Sequence, residues 1–312
     1  MSDLYIYSPS GAVRDRAAFK RGIKFLQSAG HRLSIDPAAL DRDTRFAGSD
    51  AVRLQAIERA AASGAHATLI SRGGYGLTRL LPELPYTAIR QSIDRGMAWV
   101  GFSDFTALQL AVLSRTGRIT WAGPALCDSF GATGKGSDVV DDITSACFED
   151  LLAEQGEGAG WRMGAAMSQG LSSRKAGVWA RDAQLWGGNL SVLCSLVGSP
   201  YLPTISGGVL FLEDVGEHPY RIERMLTQLL HAGILGRQKA IVLGQFTDFR
   251  LGAHDQGFGL PRVVAWLRSQ LKVPVLTDLP FGHVPTRVCL PVGARIDLLV
   301  EGRDVMMVWG HV

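Results

Sequence analysis

The chain has 312 residues, 46% hydrophobic and 20% charged, enough for two cores or one large one. Its formal net charge is +3, and the basic residues are scattered without a basic stripe or an aromatic–arginine platform, which argues against a nucleic-acid partner. No apolar run reaches the length of a membrane span, the N-terminus lacks a signal-peptide pattern, and Cys127, Cys147, Cys194 and Cys289 lie far apart with no C-x-x-C; these features predict a cytoplasmic chain with buried free thiols, no membrane association and no metal or other cofactor.

Leu4–Tyr7 reads as a short strand ending in Ser8-Pro9-Ser10-Gly11. A helix follows, with Ala18, Ile23, Phe25, Leu26 and Ala29 apolar and Gly30 as its stop. His31–Ile35 alternates like a strand, and Ser49-Asp50 opens a second helix that Gly64 ends. Ala67–Ile70 is a buried strand followed by Ser71-Arg72-Gly73-Gly74-Tyr75-Gly76, and a further helix leads to the strand Met97–Val100. Strands alternating with helices predict a doubly wound parallel sheet, whose ligands bind beyond the carboxyl ends of the strands.

Two loops should meet at that edge. In the first, Gly101-Phe102-Ser103-Asp104 leads into an apolar helical pattern at Phe105, Leu108, Ala111 and Val112. Ser103 is either an N-cap or a nucleophile lifted above the sheet, where helix N–H groups favour developing negative charge. The G-x-S-x-G elbow is half present, because Phe105 holds the second glycine position. The Gly-rich loop after Ile70 could cradle phosphate, donate an N–H to an oxyanion, or simply turn; it does not match a P-loop.

Residues 131–137 are loop-like, Asp141 to about Ala153 is helical, and Glu154–Gly160 is a flexible break. The domains are placed at 1–150 and 171–312, with 151–170 as linker. Beyond it, residues 176–180 and 183–186 read as two short strands, and Asn189 caps the next helix or presents its amide to a ligand. Gly208–Val215 is a buried strand ending in Glu213-Asp214, adjacent residues that should point to opposite faces. Residues 220–231 and 261–270 are helical, and 240–244 is a strand. His283 stands on a proline-stiffened loop, with His218, His254 and His311 as equal competitors on this evidence. Residues 294–300 and 305–309 close the chain as a β-hairpin.

Taken in order, Ser71–Gly76, Gly101–Asp104, Gly187–Leu190, Leu210–Asp214, Pro219–Arg224 and Gly282-His283 resemble the LD-carboxypeptidases, peptidase family S66, which includes the microcin C self-immunity hydrolases. The resemblance implies a flavodoxin-like N-terminal half and a smaller β-rich C-terminal half, with the active site at their seam. It implies a Ser103–Glu213–His283 triad, with Glu217 as a fallback for Glu213, and an oxyanion hole from the N–H groups of Asp104 and Gly74. Arg72, Gly73 and Asn189 become substrate-binding candidates. It also implies a homodimer without metal, acting on murein peptides by releasing a terminal D-alanine. A microcin-type amidase and a non-catalytic peptide- or nucleotide-binding protein are the alternatives.

Overall fold

Short polar side chains start three of the five helices of the first half. In the computed structural model, which describes residues 1–135, 138–168 and 176–312, Asp15 accepts hydrogen bonds from the amides of Ala17 and Ala18 and opens α1 (Arg16–Ser28). Ser49 caps α2 (Asp50–Ala62) through the Val52 amide. α3 (Tyr86–Asp94), α4 (Thr106–Thr116) and α5 (Asp142–Leu152, capped by Asp141) follow. Between them run β1 (Asp3–Tyr7), β2 (Arg32–Ile35), β3 (Ala67–Ile70), β4 (Ala98–Gly101) and β5 (Thr120–Ala122). Residues 136, 137 and 169–175, which take in the end of the expected linker and the start of the expected second domain, lie outside the described residues.

The chain forms two compact units, Met1–Gly156 with Pro285–Val292, and Glu157–Val284 with Gly293–Val312. The first holds a six-stranded sheet in which β5, β4, β3, β1 and β2 lie side by side and parallel, the order of a flavodoxin-like fold. The stretch Leu290–Val292 returns from far down the sequence and pairs antiparallel with β5. Leu4, Ile6, Leu69 and Val100 are fully buried in its core, each contributing roughly 1.5–3 kcal/mol. Both loops singled out in the sequence leave carboxyl ends of neighbouring strands, β3 and β4.

The second unit is richer in strand. It contains β6 (Gly158–Arg162), β7 (Gly177–Asn189), α6 (Leu190–Ser195), β8 (Val209–Val215), α7 (Pro219–His231), β9 (Ala240–Thr247), α8 (Leu260–Gln270) and β10 (Val275–Leu276). Leu290–Val292 is β11 in chain order, and β12 (Arg295–Glu301) and β13 (Asp304–Val308) form the expected hairpin. The sheet order is β10-β9-β8-β7-β12-β13-β6, parallel from β10 to β7 and antiparallel from β7 to β6.

Three expectations change here. The two short strands are one continuous β7, with a bulge where Arg181 and Asp182 intervene between the pairs Ala183–Ile296 and Ala180–Leu298. Asp182 adopts φ +47°, and its amide donates to Asp297 Oδ1 at 2.8 Å. The glycine-rich stretch read as a flexible break contains β6, which pairs with β13 along its whole length. A Cβ at Gly158 would lie 2.7 Å from the Met307 carbonyl oxygen, so glycine serves close pairing there as well as flexibility. The cysteines also differ from expectation: Cys194 and Cys289 are buried, but Cys127 and Cys147 are only partly so. No helix among the described residues is long and apolar enough to cross a membrane.

Candidate active site

Glycine shapes the turn that carries Ser103. Phe102 is extended, and Ser103 then takes φ +63°, a left-handed conformation that costs an L-residue of order 1–3 kcal/mol. A Cβ at Gly101 would lie 2.7 Å from the Phe105 ring and 2.8 Å from Ile70 Cδ1. One at Gly73 would lie 2.6 Å from Ser103 Cβ and 2.7 Å from its Oγ. Only the absence of both lets the serine sit there. The N-cap positions of the 3-10 turn Ser103–Phe105 and of α4 are held by Phe102 and Phe105.

The next residue fixes the turn from below. Asp104 is 2% exposed, and its Oδ2 accepts from Ser10 Oγ at 2.5 Å and from the Leu77 amide at 3.0 Å. One carboxylate therefore ties the serine turn to the loop after β1 and to the far end of the Gly-rich loop. Burial pushes its pKa up; the two donors and the charges of Arg53 and Arg72 act against that rise without cancelling it.

Within the Gly-rich loop, Gly73 is buried against Ser103, whereas Gly74 is exposed at φ +128°. Arg72 is half-buried and folds back along the loop: its Nη1 lies where a Cβ on Gly11 or Gly74 would clash.

A second cluster forms in the other unit. β8 ends in Glu213, fully buried, whose Oε2 is 2.8 Å from His283 Nδ1. The loop that holds the histidine is built to approach closely. Phe281 packs edge-on against Phe211, with ring centroids 5.4 Å apart. Gly282 takes φ +140°, where a Cβ would come 2.9 Å from the Gln245 carbonyl oxygen and 3.3 Å from Glu213 Cβ. Thr247 Oγ1 donates to the His283 carbonyl at 3.3 Å.

Asn189, read as a substrate-binding candidate, has another task. Its Oδ1 accepts from the Val192 amide and caps α6, and its Nδ2 donates to Glu213 Oε1 at 3.1 Å and Asp214 Oδ1 at 2.9 Å. The side chain is 4% exposed and engaged at both ends, so it positions Glu213. Asp214 also accepts from the Ser191 amide; burial first, then the neighbouring Glu213 charge, raises its pKa. Strand alternation predicted that the two carboxylates point apart, yet one amide bridges both, at a register break between Leu212 and Asp214. Glu217, the fallback, bonds Arg221 at 2.5 Å, and His218 faces Asp255 at 3.2 Å.

The structure thus gathers Ser103, Asp104, Arg72, Gly73 and Gly74 in the first unit, and Glu213, His283 and Asn189 in the second. Sequence reasoning missed Ser10, Asp214 and Ser191 as supports, because their partners lie tens of residues away.

Comparison with known proteins identifies the family. Residues 4–123 match the LD-carboxypeptidase N-terminal domain, and residues 182–298 match the LD-carboxypeptidase C-terminal domain. The murein tetrapeptide carboxypeptidase of Pseudomonas aeruginosa is 32% identical over 225 residues, covering 71% of this chain and 68% of its own. The microcin C7 self-immunity protein MccF of Escherichia coli is 26% identical, covering 96% of this chain and 90% of its own. The crystal structure of muramoyltetrapeptide carboxypeptidase from Oxalobacter formigenes superposes with a TM-score of 0.83 at 35% identity, covering 98% of this chain and 97% of that one. With both domain models matched in order and the serine turn and the Glu–His pair in place, the chain belongs to the LD-carboxypeptidase family.

Proposed function

We propose that the protein is a serine-type carboxypeptidase that removes the C-terminal D-alanine from murein tetrapeptides in the cytoplasm, during cell-wall recycling. The observation that carries this reading is the bond between His283 Nδ1 and the fully buried Glu213. A buried carboxylate at Nδ1 favours the tautomer protonated there, whose Nε2 acts as the base, and it stabilises the imidazolium that results. The likeness to the Oxalobacter and Pseudomonas murein enzymes supports the choice of substrate.

Ser103 Oγ attacks the carbonyl of the bond to D-alanine as His283 takes its proton. The tetrahedral oxyanion accepts N–H bonds from Asp104 and from Gly74 of the Gly-rich loop, each donor worth about 3 kcal/mol in the transition state. Collapse passes the proton from His283 to the leaving amine and frees D-alanine. Water, activated by the same imidazole, then hydrolyses the acyl-serine ester and restores Ser103.

The test is D-alanine release from L-Ala-γ-D-Glu-meso-diaminopimelate-D-Ala. Wild type releases D-alanine; Ser103→Ala, with unchanged thermal unfolding, loses about 10⁶-fold in kcat. Release by both proteins overturns Ser103 as the nucleophile. Release by neither overturns the substrate, and hydrolysis of aspartyl sulfamoyl adenosine instead would align the chain with MccF, which is solved in complex with that compound.

A further inference from the structure

Three segments distant in sequence converge beside the Gly-rich loop of the first unit. The Gly11 amide donates to the Gly73 carbonyl at 3.3 Å, and the Ala12 amide to the Arg45 carbonyl at 2.9 Å. Arg72 Nη1 lies against Gly11 and Gly74, 2.2 and 2.8 Å from where their Cβ atoms would be. The Arg45 guanidinium stacks over the exposed Tyr75 ring, 5.6 Å from its centroid. Arg14 leaves the same Gly11–Val13 segment, and the charges of Arg14 and Arg45 both act on Arg72.

Two other arginines that are buried or half-buried in this unit are paired with carboxylates. Arg53 is bonded to Asp50, and Arg59 grips Asp36 through two hydrogen bonds of 2.8 and 2.9 Å. The half-buried Arg72 has no hydrogen bond or ion pair among the described residues; the carboxylates whose charges act on it are exposed Asp128 and buried Asp104, which is already bonded to Ser10 and Leu77. Like charges gathered around a partly desolvated guanidinium are unfavourable unless an anion joins them. A guanidinium fork matches a carboxylate in shape and charge. Gly73, the residue after Arg72, abuts Ser103, so the cluster adjoins the serine on its own unit.

We propose that Arg14, Arg45 and Arg72, with Tyr75 beside them, form a carboxylate-binding subsite for an acidic peptide. The choice of peptide rests on the carboxypeptidase reading, under which the substrate carries free carboxylates at D-glutamate, at the distal end of meso-diaminopimelate and at the terminal D-alanine. The subsite selects the acid form of one of them.

The experiment titrates the full chain carrying Ser103→Ala with the tetrapeptide and with three analogues, amidated singly at D-glutamate, at the distal carboxylate of diaminopimelate and at D-alanine. One amide binds about tenfold more weakly than the acid, the worth of a charge-assisted hydrogen bond. In Arg14→Gln/Arg45→Gln, both changed at exposed positions, that preference falls below about threefold, and Arg72→Gln does the same if it folds. All three amides binding as well as the acid, or a preference that persists in the double variant, overturns the subsite. Absence of binding by all four peptides overturns it too. D-alanine release by wild type is scored separately: release without acid preference sinks the subsite alone, and acid preference without release sinks the carboxypeptidase reading alone.

Discussion

The serine turn and the Glu–His pair reach precise geometry by opposite means. Around Ser103 the shape depends on atoms that are missing: Gly73 and Gly101 leave room for a serine at φ +63°. Around His283 it depends on atoms that are present: Asn189 holds Glu213 and Asp214, and Glu213 holds the imidazole. The first region should therefore suffer most from added atoms, and the second from lost ones.

Glu213→Gln is the sharpest test of the second region. It keeps volume but removes the charge that fixes the histidine tautomer, and kcat should fall by about 10⁴-fold. A loss smaller than tenfold would mean that another group orients His283. Gly73→Ala tests the first region, because the new methyl lands 2.6 Å from Ser103 Cβ. Displacing the serine by about 1 Å should cost about 10²-fold in kcat while circular dichroism stays unchanged. Wild-type turnover in that variant would break the comparison outright.

Asn189→Ala removes both the α6 cap and a donor to Glu213. It should lower stability by about 1–2 kcal/mol in urea unfolding and kcat by about tenfold. A stability loss without a kcat loss would leave Asn189 as a cap alone.

The smallest effect concerns Asp104. Its folded-state pKa is raised by burial, so the stability it contributes is fully present below the ordinary carboxylate pKa of about 3.9 and declines as pH rises from there through the raised value. Asparagine offers the same acceptor to Ser10 and Leu77 without the charge. Asp104→Asn should stay within about 1 kcal/mol of wild type at neutral pH and flatten that decline in a pH series of unfolding curves. An unaltered pH profile would mean that Asp104 ionises in the fold as it does in the unfolded chain.

Much of this was legible in the sequence because the signals are local. Ser49 reads as the start of a helix and Asn189 as a cap or a ligand-presenting amide, and both are caps; Asp141, read as the first helical residue, is the cap one position before it, and the 3.6-residue pattern from Ile222 to Leu230 marks α7. Family resemblance supplied the pairing of Glu213 with His283; the residues alone left His283 level with other histidines. What escaped was long-range. Ser10 and Asp104 are 94 positions apart, and Arg14, Arg45 and Arg72 look scattered along the chain because only the fold gathers them. The bridging of Glu213 and Asp214 by one amide escaped for another reason: it sits at a register break, which alternation does not encode.

The return of β11 to the first sheet has a consequence for synthesis. Residues 1–156 leave the ribosome long before Leu290–Val292 exist, so β5 waits as an open edge through the making of most of the second unit. When β11 arrives it brings Pro291, which cannot donate to a further strand. The nascent chain is thus most exposed to edge pairing in mid-translation. A fragment ending at residue 156 would remain permanently in that state, its sheet unfinished for want of three residues encoded near the end of the chain.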